Sequence, residues 1–319
     1  MKTNIGVKLH SAVRLVLAFW MVLLTCWGCA GSRDAAQRIP TTINAVEPAK
    51  GFTKTIAVVL TYTTDSDFGR RIGDIYFRAL LDALQEQDPG LQLVTRTSGQ
   101  LPDSLEAMAQ EGPRPARAFE LSETARIAGL NGWACARIES LQPVARKTGI
   151  LWFRKERYFI FAELSFSVYD PFTGAKIVDK VVENETPVSR ADYDAVRTGK
   201  SVAIADLDET VADIGADIGE HTAEILEQQP WQTAVIGVRG DRVFLSAGTS
   251  TGLRGGQRLA VFEGRRMMEG RDGEQFIIPG PEVGRIQIVQ VAEGVSEARV
   301  ESASVGARIQ AGDIAVAVY

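Results

Sequence analysis

The chain has 319 residues, of which 45% are hydrophobic and 24% are charged, and its formal net charge at pH 7 is −5. This length accommodates two modest domains with separate cores, and the composition is that of an ordinary globular protein. The mildly acidic balance argues against nucleic acid as a partner, because proteins that bind it concentrate Lys and Arg on one surface.

The first 28 residues have the organisation of a bacterial export signal. Basic residues are followed by an apolar run over residues 15–24, about ten residues long, whereas a transmembrane helix needs about 20. The run ends at Gly28-Cys29-Ala30-Gly31-Ser32, which resembles the cleavage box of bacterial lipoproteins. Cys29 is therefore the predicted lipid-bearing residue, with Cys26 as the rival acceptor. An uncleaved amino-terminal anchor is the alternative interpretation.

The rest of the chain divides into three predicted segments. Residues 29–51 contain Ser, Thr, Pro and Ala with scattered charges and no period, which predicts a flexible tether. Residues 52–230 have the pattern of an α+β domain, a mixed sheet with helices. From residue 231 to residue 319 the pattern changes to short β segments divided by glycines, which predicts a small all-β domain.

Periodicity predicts the elements of the α+β domain. A strand, an amphipathic helix and a second strand come first, an order that favours a parallel strand pair. Between residues 157 and 169 apolar residues alternate, so we expect the even-numbered side chains to be buried. The predicted strands are 55–60, 91–95, 133–140, 157–169 and 176–183, and the predicted helices run from 68 to 84, from 118 to 128 and from 204 to Pro230.

The second domain shows six short β segments and no helical pattern. Short strands separated by glycine turns indicate a closed or sandwiched sheet, so we expect a small barrel or sandwich. The segments are 233–238, 242–246, 258–263, 284–291, 297–302 and 313–318.

Three motifs of the α+β domain occur in an order that resembles a known periplasmic module. They are Ile56–Leu60, Ala125–Ala134 and Val168–Val178. The order of elements from Lys54 to Gln229 is similar to the TolB amino-terminal domain, the curli-secretion lipoprotein CsgG and the middle domain of the flagellar protein FlgT. These families bind and assemble other proteins. The resemblance therefore implies a binding function without catalytic residues.

The glycine-rich turns of the last domain carry a second resemblance. Val243–Gly248, Gly252–Leu259 and Ile309–Asp313 are similar to consecutive turns of the FlgT carboxy-terminal domain. Glycine suits such reversals because it adopts positive φ without steric cost.

The sequence offers little material for a catalytic or metal site. His221 is the only histidine after the predicted signal, so a catalytic triad or a histidine-rich metal site is not expected. Asp206, Asp208 and Glu209 are explained by their position near the start of a helix. Cys135 lies in an apolar run, which predicts a buried and unreactive thiol. We therefore predict no enzymatic activity, metal or cofactor.

Two segments are candidates for contacts with a partner protein. Residues 97–118 form a long, proline-rich segment that carries Arg114 and Arg117, and long loops in compact domains are either functional or disordered. Residues 263–283 interrupt the β pattern, and a poorly ordered hairpin loop is the alternative interpretation there. Flexible methionines and arginines suit protein contacts. The candidates in this second segment are Arg265, Arg266, Met267 and Met268.

These features predict a non-enzymatic, lipid-anchored scaffold or assembly factor of a cell-envelope complex of flagellar or secretion type. The residue after Cys29 is Ala30 rather than the Asp that retains lipoproteins at the inner membrane. This indicates that the protein is located at the periplasmic face of the outer membrane. The expected partners are the membrane, through the lipid, and other envelope proteins, and an oligomer is compatible with the sequence. A CsgG-like pore component is one alternative, although Phe159 and Phe161 disrupt the polar side of the best candidate strand. Activation of a peptidoglycan synthase is another.

Overall fold

The computed structural model describes residues 51–63, 66–98, 101, 105, 115–149, 155–271 and 273–317. For residues 115–117 only the backbone is described. All these residues lie in one compact unit that spans Pro40–Tyr319. Cys26, Cys29 and nearly all of the predicted tether lie outside the described residues.

The first body is built on a five-stranded mixed sheet in the order β2-β1-β3-β4-β5. Strand β1 pairs in parallel with β2 and β3, and β4 pairs in antiparallel fashion with β3 and with β5. The mixed sheet with helices is therefore confirmed. The strands are β1 (Thr55–Tyr62), β2 (Gln92–Val94), β3 (Gly132–Thr148), β4 (Lys155–Tyr169) and β5 (Lys176–Val188), and a short 3-10 turn follows β2 at Arg96–Ser98.

Helices cover both faces of this sheet. On one face, α1 (Asp67–Gln87) and α4 (Ala205–Glu227) share a core with four even-numbered residues of β4, as the alternation predicts. They are Ile160, Leu164, Phe166 and Val168. On the other face lies α2 (Pro115–Ile127), which packs against one end of β3. No helix in the described part of the chain is both long and apolar enough to cross a membrane.

Two features of this body differ from the sequence prediction. The pattern predicts that the third strand ends at residue 140, but β3 continues to Thr148 because its polar extension pairs with β4 as far as Lys155. The pattern also predicts no helix between the hairpin and α4. A short helix, α3 (Arg190–Arg197), forms there, and the Ser189 hydroxyl caps it by accepting a bond of 3.1 Å from Asp192 N.

The second body is a closed six-stranded barrel in the order β11-β12-β7-β6-β13-β8. All six predicted β segments are barrel strands, which confirms the barrel alternative. Two further strands, β9 and β10, form a separate hairpin between β8 and β11. The strands are β6 (Gln232–Arg239), β7 (Arg242–Leu245), β8 (Arg258–Phe262), β9 (Arg266–Glu269), β10 (Gln275–Ile278), β11 (Glu282–Val291), β12 (Ser296–Ala303) and β13 (Ile314–Ala317).

Trp231 joins the barrel to the segment that precedes β1. Its indole ring is 1% exposed and stacks on Phe52 with ring centroids 4.7 Å apart. The indole Nε1 donates a hydrogen bond of 3.1 Å to the carbonyl oxygen of Thr53, and Thr53 N donates to the carbonyl oxygen of Thr251 at 2.9 Å. The chain therefore contacts the barrel before it enters the first strand of the sheet.

Side chains and carbonyls also link the sheet directly to the barrel. Asn131 accepts a hydrogen bond from Thr55 N at 3.0 Å and donates one to the carbonyl oxygen of Gln232 at 2.8 Å. The Ser246 hydroxyl donates to the carbonyl oxygen of Arg126 at 3.1 Å, at the end of α2. Because these bonds connect groups distant in sequence, they fix the relative position of the two bodies.

Lys54 caps the carboxyl end of α4. Its Nζ donates to the carbonyl oxygens of Leu226, of Gln229 at 2.6 Å and of Glu227 at 3.4 Å. A cation there satisfies carbonyls that have no partner within the helix and interacts favourably with the helix dipole. Burial of the amine nevertheless lowers the pKa of Lys54 to about 8, against the opposing effect of Asp88 and Glu227.

We expect this low pKa to make stability rise with pH in the alkaline range. Between about pH 8 and 10.5 the unfolded chain keeps the Lys54 proton that the folded chain releases, so the folded state gains stability as pH increases. Compared with Lys54→Met, the wild-type chain should gain about 1–2 kcal/mol in unfolding free energy between pH 7.5 and 9.5. Urea unfolding of both proteins at each pH measures this difference. A constant difference would contradict it.

Candidate partner-binding surface

The β9–β10 hairpin and the residue before it expose four of the six residues that the sequence nominates for partner contacts. All four residues of β9 are exposed, and Met267 and Met268 have 59% and 42% of their surface accessible. In the hairpin register, Met268 lies opposite Phe276, Met267 opposite Ile277 and Arg266 opposite Ile278. The excursion is therefore an ordered two-stranded hairpin, so its side chains have defined positions.

Arg265 anchors the start of this hairpin to the barrel. Its Nε donates to Asp313 Oδ1 at 3.1 Å, and its Nη1 donates to Gln310 Oε1 at 2.6 Å. Asp313 is fully buried and also accepts hydrogen bonds from Gln310 N at 2.7 Å and Gly264 N at 3.4 Å. A charge-assisted bond to a buried carboxylate fixes the orientation of the arginine. Arg265 thus anchors the hairpin to the barrel while its side chain stays exposed, as do those of Arg266, Met267 and Met268.

The second strand of the hairpin rests on the first body. Ile277 is 6% exposed, and its backbone N donates to the carbonyl oxygen of Thr173 at 2.9 Å. Gly174 has a φ of +75°, and a Cβ there would lie 3.2 Å from both the carbonyl oxygen of Gln275 and the ring of Phe119. The hairpin is consequently held by both bodies, and its position depends on both.

The turn that receives the hairpin is organised by a buried carboxylate. Asp170 accepts hydrogen bonds from Phe172 N at 2.9 Å and from the Thr173 hydroxyl at 2.5 Å. Burial raises the pKa of Asp170, whereas these bonds and the nearby Arg126 act in the opposite direction. Asp170, Thr173 and Gly174 therefore serve a local structural purpose, because together they form an Asx turn followed by a left-handed glycine.

One face of the hairpin combines apolar side chains with a cation. Met268, Phe276, Ile278 and Arg266 lie on this face, because opposite residues and residues two apart share a side in an antiparallel pair. Phe276 and Ile278 are partly buried, and the other two are exposed. Methionine adapts to irregular surfaces, and methionine, aromatic residues and arginine are enriched in protein interfaces.

The structure gives no side-chain position for Arg114 and Arg117, whereas it places Cys135 and His221. Arg114 lies outside the described residues, and Arg117 is described only by its backbone in α2. Cys135 is 4% exposed with its Sγ 3.6 Å from Thr61 Oγ1, so the predicted burial is confirmed, and burial raises the pKa of the thiol. The His221 side chain is 48% exposed, and its Nδ1 lies 4.0 Å from Glu224. Within the described ranges, no three His, Cys, Asp or Glu side chains are grouped as a metal site requires.

The sequence motifs contain the residues that position the hairpin, but they do not indicate that role. Asp313 is 48 positions from Arg265, and the Asp170 turn is about a hundred residues from β10. The glycines at positions 174 and 312, both with positive φ, are the local signals that mark these turns.

No protein-family model matches this sequence, and a search of curated proteins finds no match. Among solved structures, hypothetical protein CT253 from Chlamydia trachomatis is 12% identical with a TM-score of 0.35, over 55% of this chain and 98% of that chain. A minor lipoprotein from Acinetobacter baumannii is 11% identical with a TM-score of 0.27, over 53% and 92%. TolB from Acinetobacter baumannii is 10% identical with a TM-score of 0.27, over 81% and 62%. These values assign the chain to no family.

Proposed function

We propose that this chain is a lipid-anchored envelope protein without enzymatic activity, which holds other envelope proteins at the periplasmic face of the outer membrane. The observation that carries the proposal is the Gly28-Cys29-Ala30-Gly31-Ser32 box directly after a short apolar run. The resemblance to TolB, CsgG and FlgT modules supports an assembly role of flagellar or secretion type.

The architecture supports this proposal in two ways. The first described residue, Gly51, follows a predicted tether of about 22 residues, which as a flexible chain would span about 26 Å. Such a tether would keep the folded unit beside the membrane. The β9–β10 hairpin then supplies a surface for another protein, because it exposes methionines and an arginine on strands that two bodies hold in place.

We expect metabolic labelling with palmitate to modify the wild-type chain and to be lost in Cys29→Ser. Only the thiol at the cleavage box would receive the acyl chain, so Cys26→Ser should keep the label and is the matched control. Mass spectrometry of the amino-terminal peptide identifies the modified residue. Equal labelling of wild type and Cys29→Ser, or an unmodified Met1 on the native protein, would refute the lipid anchor.

A photo-reactive amino acid at Met268 is expected to crosslink to a discrete envelope protein in living cells. Val305, which is fully exposed on the barrel, provides the control position, and we expect no such adduct from it. Purified wild-type chain added to permeabilised cells should compete for the adduct, whereas Met267→Ser/Met268→Ser should not. The hairpin assignment is wrong if both positions give the same pattern.

A further inference from the structure

The far end of the β3–β4 hairpin carries a concentration of exposed cations. Arg146 and Lys147 lie near the end of β3, and Lys155 and Arg157 lie at the start of β4, all four exposed. One acid, Glu156, is interspersed among them. Acidic residues outnumber basic ones over residues 52–230 as a whole, so this end contrasts in charge with the body that carries it.

Three of these cations share one face of the sheet. Arg146 lies directly opposite Arg157, and Thr148 lies opposite Lys155. Directly opposed like charges destabilise a strand pair, so this arrangement is unfavourable unless an anion lies nearby. Glu185 provides one for Arg146, whose Nη1 donates to Glu185 Oε2 at 2.7 Å. Among the described residues, Lys155 and Arg157 have no ion-pair partner.

Apolar side chains continue the same face behind the cations. Phe159 lies opposite Val144, both are partly buried, and the Arg146 guanidinium lies 5.9 Å from the Phe159 ring centroid. The residues of β3 and β4 that share a core with α2, namely Trp133, Cys135 and Tyr169, are at the opposite end of the strands. The other face is covered at this end by α3, where Tyr193 contacts Tyr158. The cationic face is thus the one that α3 leaves open.

We propose that this cationic face, formed by Arg146, Lys155 and Arg157, contacts the surface of a bilayer that contains anionic phospholipids. Cations at the outer end with aromatic and aliphatic side chains behind them match the headgroup region, where long basic side chains reach the phosphates. In the cell the inference rests on the proposed lipid anchor, because a tether raises the local concentration of the bilayer and makes weak contacts effective. The hairpin would then set the orientation of the tethered unit.

The test uses a chain that carries no acyl group. Residues 29–319 with Cys29→Ser contain the whole compact unit of Pro40–Tyr319. This protein is sedimented with vesicles of phosphatidylcholine and phosphatidylglycerol, or of phosphatidylcholine alone. We expect binding only to the anionic vesicles and a loss of binding as salt increases. Each cation near such a surface contributes about a fivefold change in partitioning, so Lys155→Gln/Arg157→Gln should bind about 25-fold more weakly.

The matched control removes two exposed cations elsewhere. Lys200→Gln/Arg239→Gln changes the net charge by the same amount and should bind anionic vesicles like the parent chain. Thermal unfolding of both variants establishes that they are folded. Equal loss in the two double variants, no loss in either, or equal binding to both lipid compositions would overturn the proposal.

The competing occupant of the cationic face is a second copy of the chain, because the exposed side of α4 is acidic and would attract the cations. Sedimentation velocity without lipid distinguishes it: self-association abolished by Lys155→Gln/Arg157→Gln, with vesicle binding unchanged, would overturn the lipid assignment. Because the protein used lacks the acyl chain, failure of this test leaves the palmitate experiment unaffected, and the reverse is also true.

Discussion

Replacing Trp231 by Ala is expected to lower the unfolding free energy by about 3–5 kcal/mol. The indole is 1% exposed at the base of the barrel, and its loss removes the stack on Phe52 and the bond to the carbonyl of Thr53. The remaining cavity would be lined by the barrel core and by the segment that precedes β1, and it could close only partly. Urea unfolding measures the effect.

Trp231→Phe is the matched control for this prediction. It keeps an aromatic ring against Phe52 but cannot donate to the Thr53 carbonyl, so we expect a loss of about 1–2 kcal/mol. Limited proteolysis should also show faster cleavage near Thr53 in Trp231→Ala than in Trp231→Phe, because the segment before β1 loses its contact. Similar stability of wild type and Trp231→Ala would show that this junction contributes little.

Replacing Gly219 by Val is expected to destabilise the fold by about 3 kcal/mol or more. A Cβ at Gly219 would lie 2.7 Å from the backbone oxygen of Leu80 and 2.8 Å from Ala83 Cβ, so α4 would have to move away from α1. Gly215, one turn earlier, makes a similar approach to the oxygen of Tyr76 at 2.6 Å. Although valine favours helix over glycine by several tenths of a kcal/mol, the clash with backbone exceeds this gain.

Glu220→Val is the matched control, because it introduces valine into α4 without the clash expected at position 219. Glu220 is the exposed neighbour of Gly219, and valine there points away from α1, so stability should change by less than about 0.5 kcal/mol. Thermal unfolding of the two variants provides the comparison, and the Gly219→Val midpoint should fall by roughly 5–10 °C. Equal midpoints would mean that the helices separate without cost.

The two proposed contact surfaces lie at different places in the fold. The β9–β10 hairpin presents Met267 and Met268 beside the barrel, and the proposed bilayer contact lies at the end of β3 and β4. Asn131 and Trp231 hold the bodies together, so a lipid contact at one surface would determine how the other is presented to a protein partner.

The sequence by itself determined the features that depend on local spacing. Alternation over 157–169 identified β4 and its buried side, and the three-to-four spacing after Phe68 identified α1, because each pattern reflects a single element facing one core. Glycine marked the ends of the barrel strands, since the conformations of tight turns are set within a few residues. The predictions of an export signal and of a lipoprotein box around Cys29 likewise rest on local patterns.

Only the tertiary structure decided what depends on distant partners. The extension of β3 to Thr148 has no apolar pattern of its own and exists because β4 pairs with it. Arg265 is exposed as a candidate contact residue, and the structure adds its bond to Asp313, 48 positions away. The opposition of Arg146 and Arg157 also follows from strand register, which a bulge between Ile138 and Ser140 shifts. Pairing energies between residues far apart in the chain leave no periodic trace in the sequence, so these contacts emerge only when the chain is folded.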